Sequence, residues 1–167
     1  MFVFVFVALN VLGVVVHLAL DKAARTPRRV VEVVLLWVLV VNGLAALFAF
    51  FGHAFDADAV AASIGWPAGS PFQFEVAVAN LAFGVLGVLC VWLRGRFWLA
   101  TGLGSSIFLL GAAYGHIREI IVNHNDAPNN AGPILYSDIL YPVAMLVLLA
   151  LYWRLGDGAA DGRRPPG

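Results

Sequence analysis

The stretch from Val30 to Phe51, VVEVVLLWVLVVNGLAALFAFF, decides the fold class of this chain. It is 22 residues long and carries one charge, Glu32. A helix needs about 20 mostly apolar residues to cross the hydrocarbon core of a bilayer, because it rises only about 1.5 Å per residue. The stretch is therefore predicted to be a transmembrane helix.

Other parts of the chain repeat this pattern. Four more apolar stretches are long enough to span a bilayer, namely Phe2–Leu20, Phe72–Leu93, Phe97–Val122 and Ile134–Leu155. Between the second and third spans, Asp56–Ile64 is predicted to form a short helix with an acidic first turn. Residues 156–167 are predicted to be a flexible cytoplasmic tail. We therefore expect an all-α integral membrane protein, a single bundle of five transmembrane helices covering residues 1–167.

Composition excludes several other classes of protein. Of the 167 residues, 62% are hydrophobic and 12% are charged, whereas about a quarter of the residues of soluble domains are charged. The net charge is zero, so the chain has no basic surplus to neutralise phosphates, and nucleic acid is not expected as a partner. The single cysteine excludes an intramolecular disulfide and multi-cysteine metal motifs. The lipid bilayer is the expected partner, in a multi-pass protein of the cell membrane.

The distribution of basic residues predicts the orientation. With five spans, nine of the ten Lys and Arg residues fall on one side, and Arg118 is the exception. Cytoplasmic loops of membrane proteins are enriched in these residues. The N-terminus is therefore expected outside and the C-terminus inside. The nine residues are Lys22, Arg25, Arg28, Arg29, Arg94, Arg96, Arg154, Arg163 and Arg164.

Small residues predict where helices pack closely, because apolar side chains gain little by leaving lipid for one another. In the third span, small and polar residues share one face, and in the fourth Gly111 and Gly115 are one turn apart. Only Arg94–Arg96 joins these two spans. An antiparallel hairpin of the third and fourth spans is therefore expected at the centre of the bundle. The face of the third span consists of Ala77, Asn80, Gly84 and Gly87.

Ionisable residues concentrate at the outer ends of the last three spans. Such groups are costly in lipid and often mark functional sites. Pro142 frees the carbonyl of Asp138, so that region should face other helices or water. Convergence of these side chains would form a ligand pocket, with Asn80 about 12 Å deeper. The candidates are Glu75, Asn80, His116, Glu119, His124 and Asp138.

Each candidate also has an ordinary structural explanation. Glu75 lies in the first turn of a helix, where the helix dipole favours a carboxylate. Glu119 is adjacent to Arg118 and is placed for a surface ion pair. His116 and Glu119 are three residues apart, so they share a helix face and are the candidate metal ligands. Nitrogen and oxygen ligands suit a divalent metal such as zinc, iron or manganese, and a quinone is the other cofactor considered.

Several motifs resemble a family of small bacterial and archaeal membrane proteins described only as a domain of unknown function. They are Ile64–Glu75 continuing through Ala79–Gly84, then Phe97–Thr101, Gly111–His116 and Asn129–Pro133. The resemblance covers roughly residues 64–145 and implies a helical bundle of several spans, without a catalytic residue. The architecture is also loosely similar to that of DoxX-like four-helix membrane proteins, some of which are linked to quinone-dependent redox.

Three functions remain open at this point. The first is a polar pocket at the extracytoplasmic end that binds a metal or a small polar or quinone-like ligand. The second is a non-enzymatic membrane subunit or scaffold, with a membrane-protein partner or as a homo-oligomer. The third is a small-solute transporter. The chain has no recognisable nucleophile–base pair or phosphate-binding loop, and whether it is an enzyme stays open.

Overall fold

Helices account for all the regular secondary structure in the part of the chain that the structure describes. The computed structural model describes residues 2–161, with the side chains of residues 2–156. Five of its helices are long and apolar enough to cross a membrane, and α3 is the short exception. The helices are α1 (Phe2–Leu20), α2 (Pro27–Phe55), α3 (Ala57–Ile64), α4 (Phe72–Leu89), α5 (Arg96–Asn123) and α6 (Pro133–Asp161).

The helix ends differ from the predicted spans by a few residues. α2 begins earlier than predicted because Pro27 occupies its first turn and the Thr26 hydroxyl accepts a hydrogen bond from the amide of Arg29, at 3.2 Å. α4 stops at Leu89, four residues before the predicted Leu93. α6 continues to Asp161, so the first residues of the predicted tail are helical, and residues 162–167 lie outside the described part.

The centre of the bundle is α2, which packs against α1, α4 and α6. The expectation that the α4–α5 hairpin forms the centre was wrong. Its short turn holds the two helices together at one end, but α4 then lies along α2 and α5 lies along α6. The main core cluster joins α2, α6, the first turn of α5 and the turn between α4 and α5. Its buried members are Leu35, Leu36, Val38, Leu39, Cys90, Trp98, Met145 and Leu149.

Glycines bring α2 and α4 into close contact. A methyl group placed on Gly87 would lie 2.6 Å from the Cα of Gly43, and one on Gly43 would lie 2.8 Å from the Cα of Gly87. The predicted packing face of α4 is confirmed, because Ala77, Gly84 and Gly87 are all buried. Its partner is α2 and not α5. The backbones therefore approach as small-residue seams in membranes do.

The second predicted small-residue seam, Gly111 and Gly115 on α5, was wrong. A methyl group on either glycine would meet no atom of a neighbouring helix within 4 Å. The physical reason is that α4 is held against α2 and diverges from α5 towards this level of the bundle. The space beside Gly111 is part of a cavity.

Charged residues tie the loops together at one end of the bundle, which we call the basic end. Glu32 of α2 accepts from Arg94 in the α4–α5 turn at 2.7 Å and lies 3.1 Å from Arg29. The Arg28 guanidinium lies 5.2 Å from the ring centre of Tyr152 on α6. These contacts gather three chain segments that carry basic residues. The opposite end, which carries α3 and the α5–α6 loop, is called the α3 end.

Candidate ligand-binding site

A cavity of about 570 Å³ opens between the helices towards the α3 end. Residues from all six helices contribute to its walls, and most of them are apolar. Five phenylalanines are among them, namely Phe2, Phe6, Phe48, Phe83 and Phe108. The polar or ionisable lining residues are Asn42, His53, Ser63, Asn80, Ser105, His116, Asn129, Ser137, Asp138 and Tyr141. The cavity is thus an apolar space with a limited set of polar groups.

The cavity reaches the outer surface of the bundle beside α5. Ile107 lines it and is 74% exposed, and Gly111 also lines it and is exposed. In a membrane, an apolar outer surface at the level of Ile107 and Gly111, within the long apolar helix α5, faces lipid. A molecule dissolved in the bilayer would therefore meet the entrance directly.

His116 is the central polar group of the site and is held by the α5–α6 loop. The residue is only 6% exposed, and its Nδ1 lies 2.8 Å from Oδ1 of Asn130. The Asn130 amide nitrogen donates to two carbonyls, that of Asn125 at 2.8 Å and that of His116 itself at 3.3 Å. These two bonds identify the amide nitrogen, so Oδ1 must accept and Nδ1–H of His116 must donate.

Fixing Nδ1 as the donor determines what the other ring nitrogen offers. In a neutral imidazole one nitrogen carries the proton and the other has a free lone pair. Neutral His116 therefore keeps Nε2 unprotonated. Nε2 lies 3.8 Å from Oδ2 of Asp138, which is buried on α6. That separation exceeds a direct hydrogen bond, so the two atoms are neighbours that are not bonded to each other.

Asp138 lies on the inner face of α6, as Pro142 led us to expect. α6 stays helical through Pro142, and both residues are buried. The Ser106 hydroxyl of α5 is 3.5 Å from the carbonyl of Pro142, at the limit for a hydrogen bond. α5 and α6 therefore face each other here, and this arrangement places His116 and Asp138 side by side.

A layer of chain covers His116 at the α3 end. The Trp66 ring stacks on the imidazole, with centres 6.2 Å apart and planes at 26°. The Asn125 amide donates to the carbonyl of Ile64 at 2.9 Å, and the backbone amide of Asn129 donates to that of Ser63 at 3.3 Å. These bonds fasten the α5–α6 loop to the end of α3. The loop and α3 therefore close the site at the α3 end, and the entrance is on the side of the bundle, beside α5.

Of the predicted site residues, His116, Asp138 and Asn80 line the cavity. Asn80 is buried, and its amide donates to the carbonyl of Val76 one turn earlier, at 2.9 Å. It lies on α4, so it belongs to a different wall from His116 and Asp138. These three residues are the part of the predicted set that the fold brings to one space.

The other three predicted residues lie away from the cavity. Glu75 is exposed, and its neighbour Gln73 points inward and pairs with His53 of α2. Glu119 accepts from the side chain of Asn123 at 2.9 Å and lies 3.8 Å from Arg118. His124 is exposed and ends α5 with a positive φ of 51°. The contact with Arg118 matches the ordinary structural explanation of Glu119, and Glu75 lies in the first turn of α4 as its own explanation requires.

No three histidine, cysteine, aspartate or glutamate side chains within the described residues are grouped so that they could hold a metal ion. His116 has Asp138 as its ionisable neighbour, and Glu119 pairs instead with Asn123 and Arg118. A metal bound by His116 and Glu119 stays a prediction from sequence. The arrangement of polar groups in the cavity is suited to hydrogen bonding.

Sequence reasoning missed two contributors to the site, Asn130 and Trp66. In the sequence, Asn130 lies in a loop rich in turn-forming residues and Trp66 lies near a predicted membrane interface, where indoles are common, so neither residue suggests a site. Asn130 is fully buried, which is unusual for an asparagine in a loop. Nothing in the local sequence distinguishes it from Asn129, so only the tertiary contacts reveal its role.

Comparison with known proteins gives a family but no activity. No curated protein and no solved structure matches the chain, so the loose architectural similarity to DoxX-like proteins gains no support. A family profile matches residues 1–158, which include all five long apolar helices almost to the end of α6. The chain belongs to this family, DUF6790, a family of unknown function.

Proposed function

We propose that this protein is an integral membrane protein that binds a small lipid-soluble molecule carrying a polar head group. The observation that carries the proposal is the placement of His116 and Asp138 on a mostly apolar cavity that reaches the lipid-facing surface beside Ile107. The apolar walls suit the body of such a ligand. The paired polar groups suit its head.

The size and composition of the cavity support this proposal. Small-molecule sites commonly have volumes of about 300–1,000 Å³, apolar linings and a few placed polar groups. This cavity has about 570 Å³ and contributions from several phenylalanines. A quinone-like ring with a short apolar tail belongs to the class of molecules that such a space accommodates. A bare metal ion would leave most of the space unfilled.

The location of the site follows from the proposed orientation. We infer that the basic end faces the cytoplasm, because Arg28, Arg29 and Arg94 gather there in the structure. The N-terminus would then be outside, the C-terminus inside, and the cavity beside the outer leaflet. The membrane would be the cell membrane, with ligand arriving from within the bilayer.

The core of the bundle favours binding over transport. On the basic side of the cavity, Leu35, Leu39, Trp98 and Met145 are packed with at most 1% exposure. A polar solute crossing the bundle would have to pass this packed cluster. The cavity is thus better suited to retain a ligand than to conduct one.

Two glycines on α5 provide a matched test of the cavity. Gly111 lines it and Gly115 does not, and neither has a neighbouring atom where a side chain would begin. Gly111→Phe should place its ring in the cavity and weaken ligand binding at least tenfold, while Gly115→Phe should bind as the parent does. The probes are decylubiquinone and 4-nonylphenol, titrated by calorimetry into protein in lipid nanodiscs, with empty nanodiscs as reference.

The proposal requires that at least one probe binds saturably at one molecule per chain. It also requires that Gly111→Phe weakens this binding and Gly115→Phe does not. Absence of saturable binding of both probes, or equal binding by the parent and Gly111→Phe, would overturn it.

A further inference from the structure

We infer that the head group of the ligand is a hydroxyl that bridges Nε2 of His116 and Oδ2 of Asp138. The ligand would then be a lipid-soluble phenol, quinol or alcohol. This inference rests on the proposed function, because it concerns the polar end of the same cavity. Three steps lead to it: the charge of the pair, the hydrogen bonds it offers, and the distance between its atoms.

The first step is that the two side chains together hold one proton beyond the Nδ1–H of His116. A buried carboxylate is costly unless it is paired with a cation or protonated. The described lining of the cavity contains no lysine or arginine, and its other histidine, His53, pairs with Gln73. The proton must therefore lie on Asp138 itself or on Nε2 of His116. In both cases the pair is neutral overall.

The second step is that both arrangements offer the same bonds to a ligand. If the proton is on Asp138, its O–H is a donor and Nε2 is an acceptor. If the proton is on His116, Nε2–H is the donor and the carboxylate is the acceptor. The pair thus presents one donor and one acceptor wherever the proton lies. A hydroxyl group, which donates one hydrogen bond and accepts another, complements both arrangements.

The third step is geometric. The two atoms are 3.8 Å apart, too far for a good direct bond. If a ligand oxygen lies about 2.8 Å from each atom, the angle Nε2–oxygen–Oδ2 is close to 90°, which the hydrogen bonds of a hydroxyl accommodate. A ligand oxygen beside the pair can therefore bond to both atoms at once. Trp66 stacked on the outer face of His116 holds the imidazole in this orientation.

This pattern discriminates between head groups of similar size. An ether or a ketone oxygen only accepts, so it would satisfy the donor of the pair and leave the acceptor unpaired. An unpaired polar group costs more free energy when it is buried than when it is exposed, because water cannot replace the lost hydrogen bond. A quinol would therefore be preferred over the corresponding quinone. A permanently cationic head would lack the acceptor function that the pair also requires.

The experiment compares 4-nonylphenol with 4-nonylanisole, its methyl ether, which has the same ring and tail. Both are titrated into the full chain in nanodiscs, with empty nanodiscs subtracted. We expect the phenol to bind at least tenfold more tightly. Asp138→Leu should reduce this preference to below threefold, whereas Asp126→Leu, at an exposed acidic residue of the same end, should retain it.

The outcomes separate this inference from the proposed function. Equal affinity of phenol and ether, with both weakened by Gly111→Phe, would overturn the hydroxyl assignment and leave the cavity as a binding site. Failure of both 4-nonylphenol and decylubiquinone to bind saturably would count against the proposed function itself. The comparison in the parent protein needs no variant, so it stands even where Asp138→Leu fails to fold.

Discussion

At the scale of single residues, Asn130 controls the chemistry of His116 without lining the cavity. Its side chain makes three hydrogen bonds within one buried group, to the ring and carbonyl of His116 and to the carbonyl of Asn125. One asparagine thereby joins the end of α5 to the following loop. It also determines that the unprotonated Nε2 of neutral His116 faces Asp138. In other histidine sites too, the hydrogen bond of one ring nitrogen sets the protonation of the other.

Removing this side chain should destabilise the protein. In Asn130→Ala, the buried Nδ1–H of His116 loses its partner, and the carbonyls of His116 and Asn125 each lose one hydrogen bond. An unpaired buried group costs about 1–3 kcal/mol. We expect a lower unfolding temperature in detergent, measured by intrinsic fluorescence. Asn129→Ala is the matched control, because Asn129 bonds to Ser63 through its backbone amide, which alanine keeps. Equal unfolding temperatures of the two variants would contradict the role assigned to Asn130.

At the scale of helices, the fold depends on the close contact between α2 and α4. Gly43 and Gly87 let the two backbones touch, and this contact holds α4 away from α5. The same displacement creates the space that becomes the cavity. The close packing of α2 and α4 thus leaves room for the candidate site between α4 and α5.

Substitution at this seam should separate the helices. In Gly87→Ala the new methyl group would lie 2.6 Å from the Cα of Gly43, and overpacking of this kind costs about 1–3 kcal/mol. We expect a corresponding loss in the free energy of unfolding, measured by urea denaturation in detergent micelles. Gly115→Ala has open space around it and should be neutral or stabilising by up to about 1 kcal/mol, because alanine favours helices. A neutral Gly87→Ala variant would show that the seam is not tightly packed.

At the scale of the whole molecule, five membrane crossings would place the two chain termini on opposite sides of the bilayer. The chain alternates in direction from α1 to α6, with α3 as a short interruption at one end. Basic residues collect at one end and the covered site at the other. If the basic end is cytoplasmic, a ligand enters from the outer half of the bilayer.

Cysteine labelling of intact bacterial cells tests this orientation. Asp126→Cys, in the exposed α5–α6 loop, should react with a membrane-impermeant maleimide from outside. Lys22→Cys, in the α1–α2 loop, should react only after the cells are permeabilised. The parent protein is the control, because its one cysteine, Cys90, is fully buried and should stay unlabelled. The reverse labelling pattern would place the candidate site at the inner leaflet.

The sequence by itself determined the helical membrane fold, because length and apolarity are local properties that each span carries in its own residues. It also located the buried face of α4 and the inward position of Asp138, through small residues and Pro142. The tertiary structure alone decided that α2 is central, that Gly43 meets Gly87, and that Asn130 orients His116. These contacts join residues far apart in the chain or depend on the path of a loop, and no local pattern specifies such pairings.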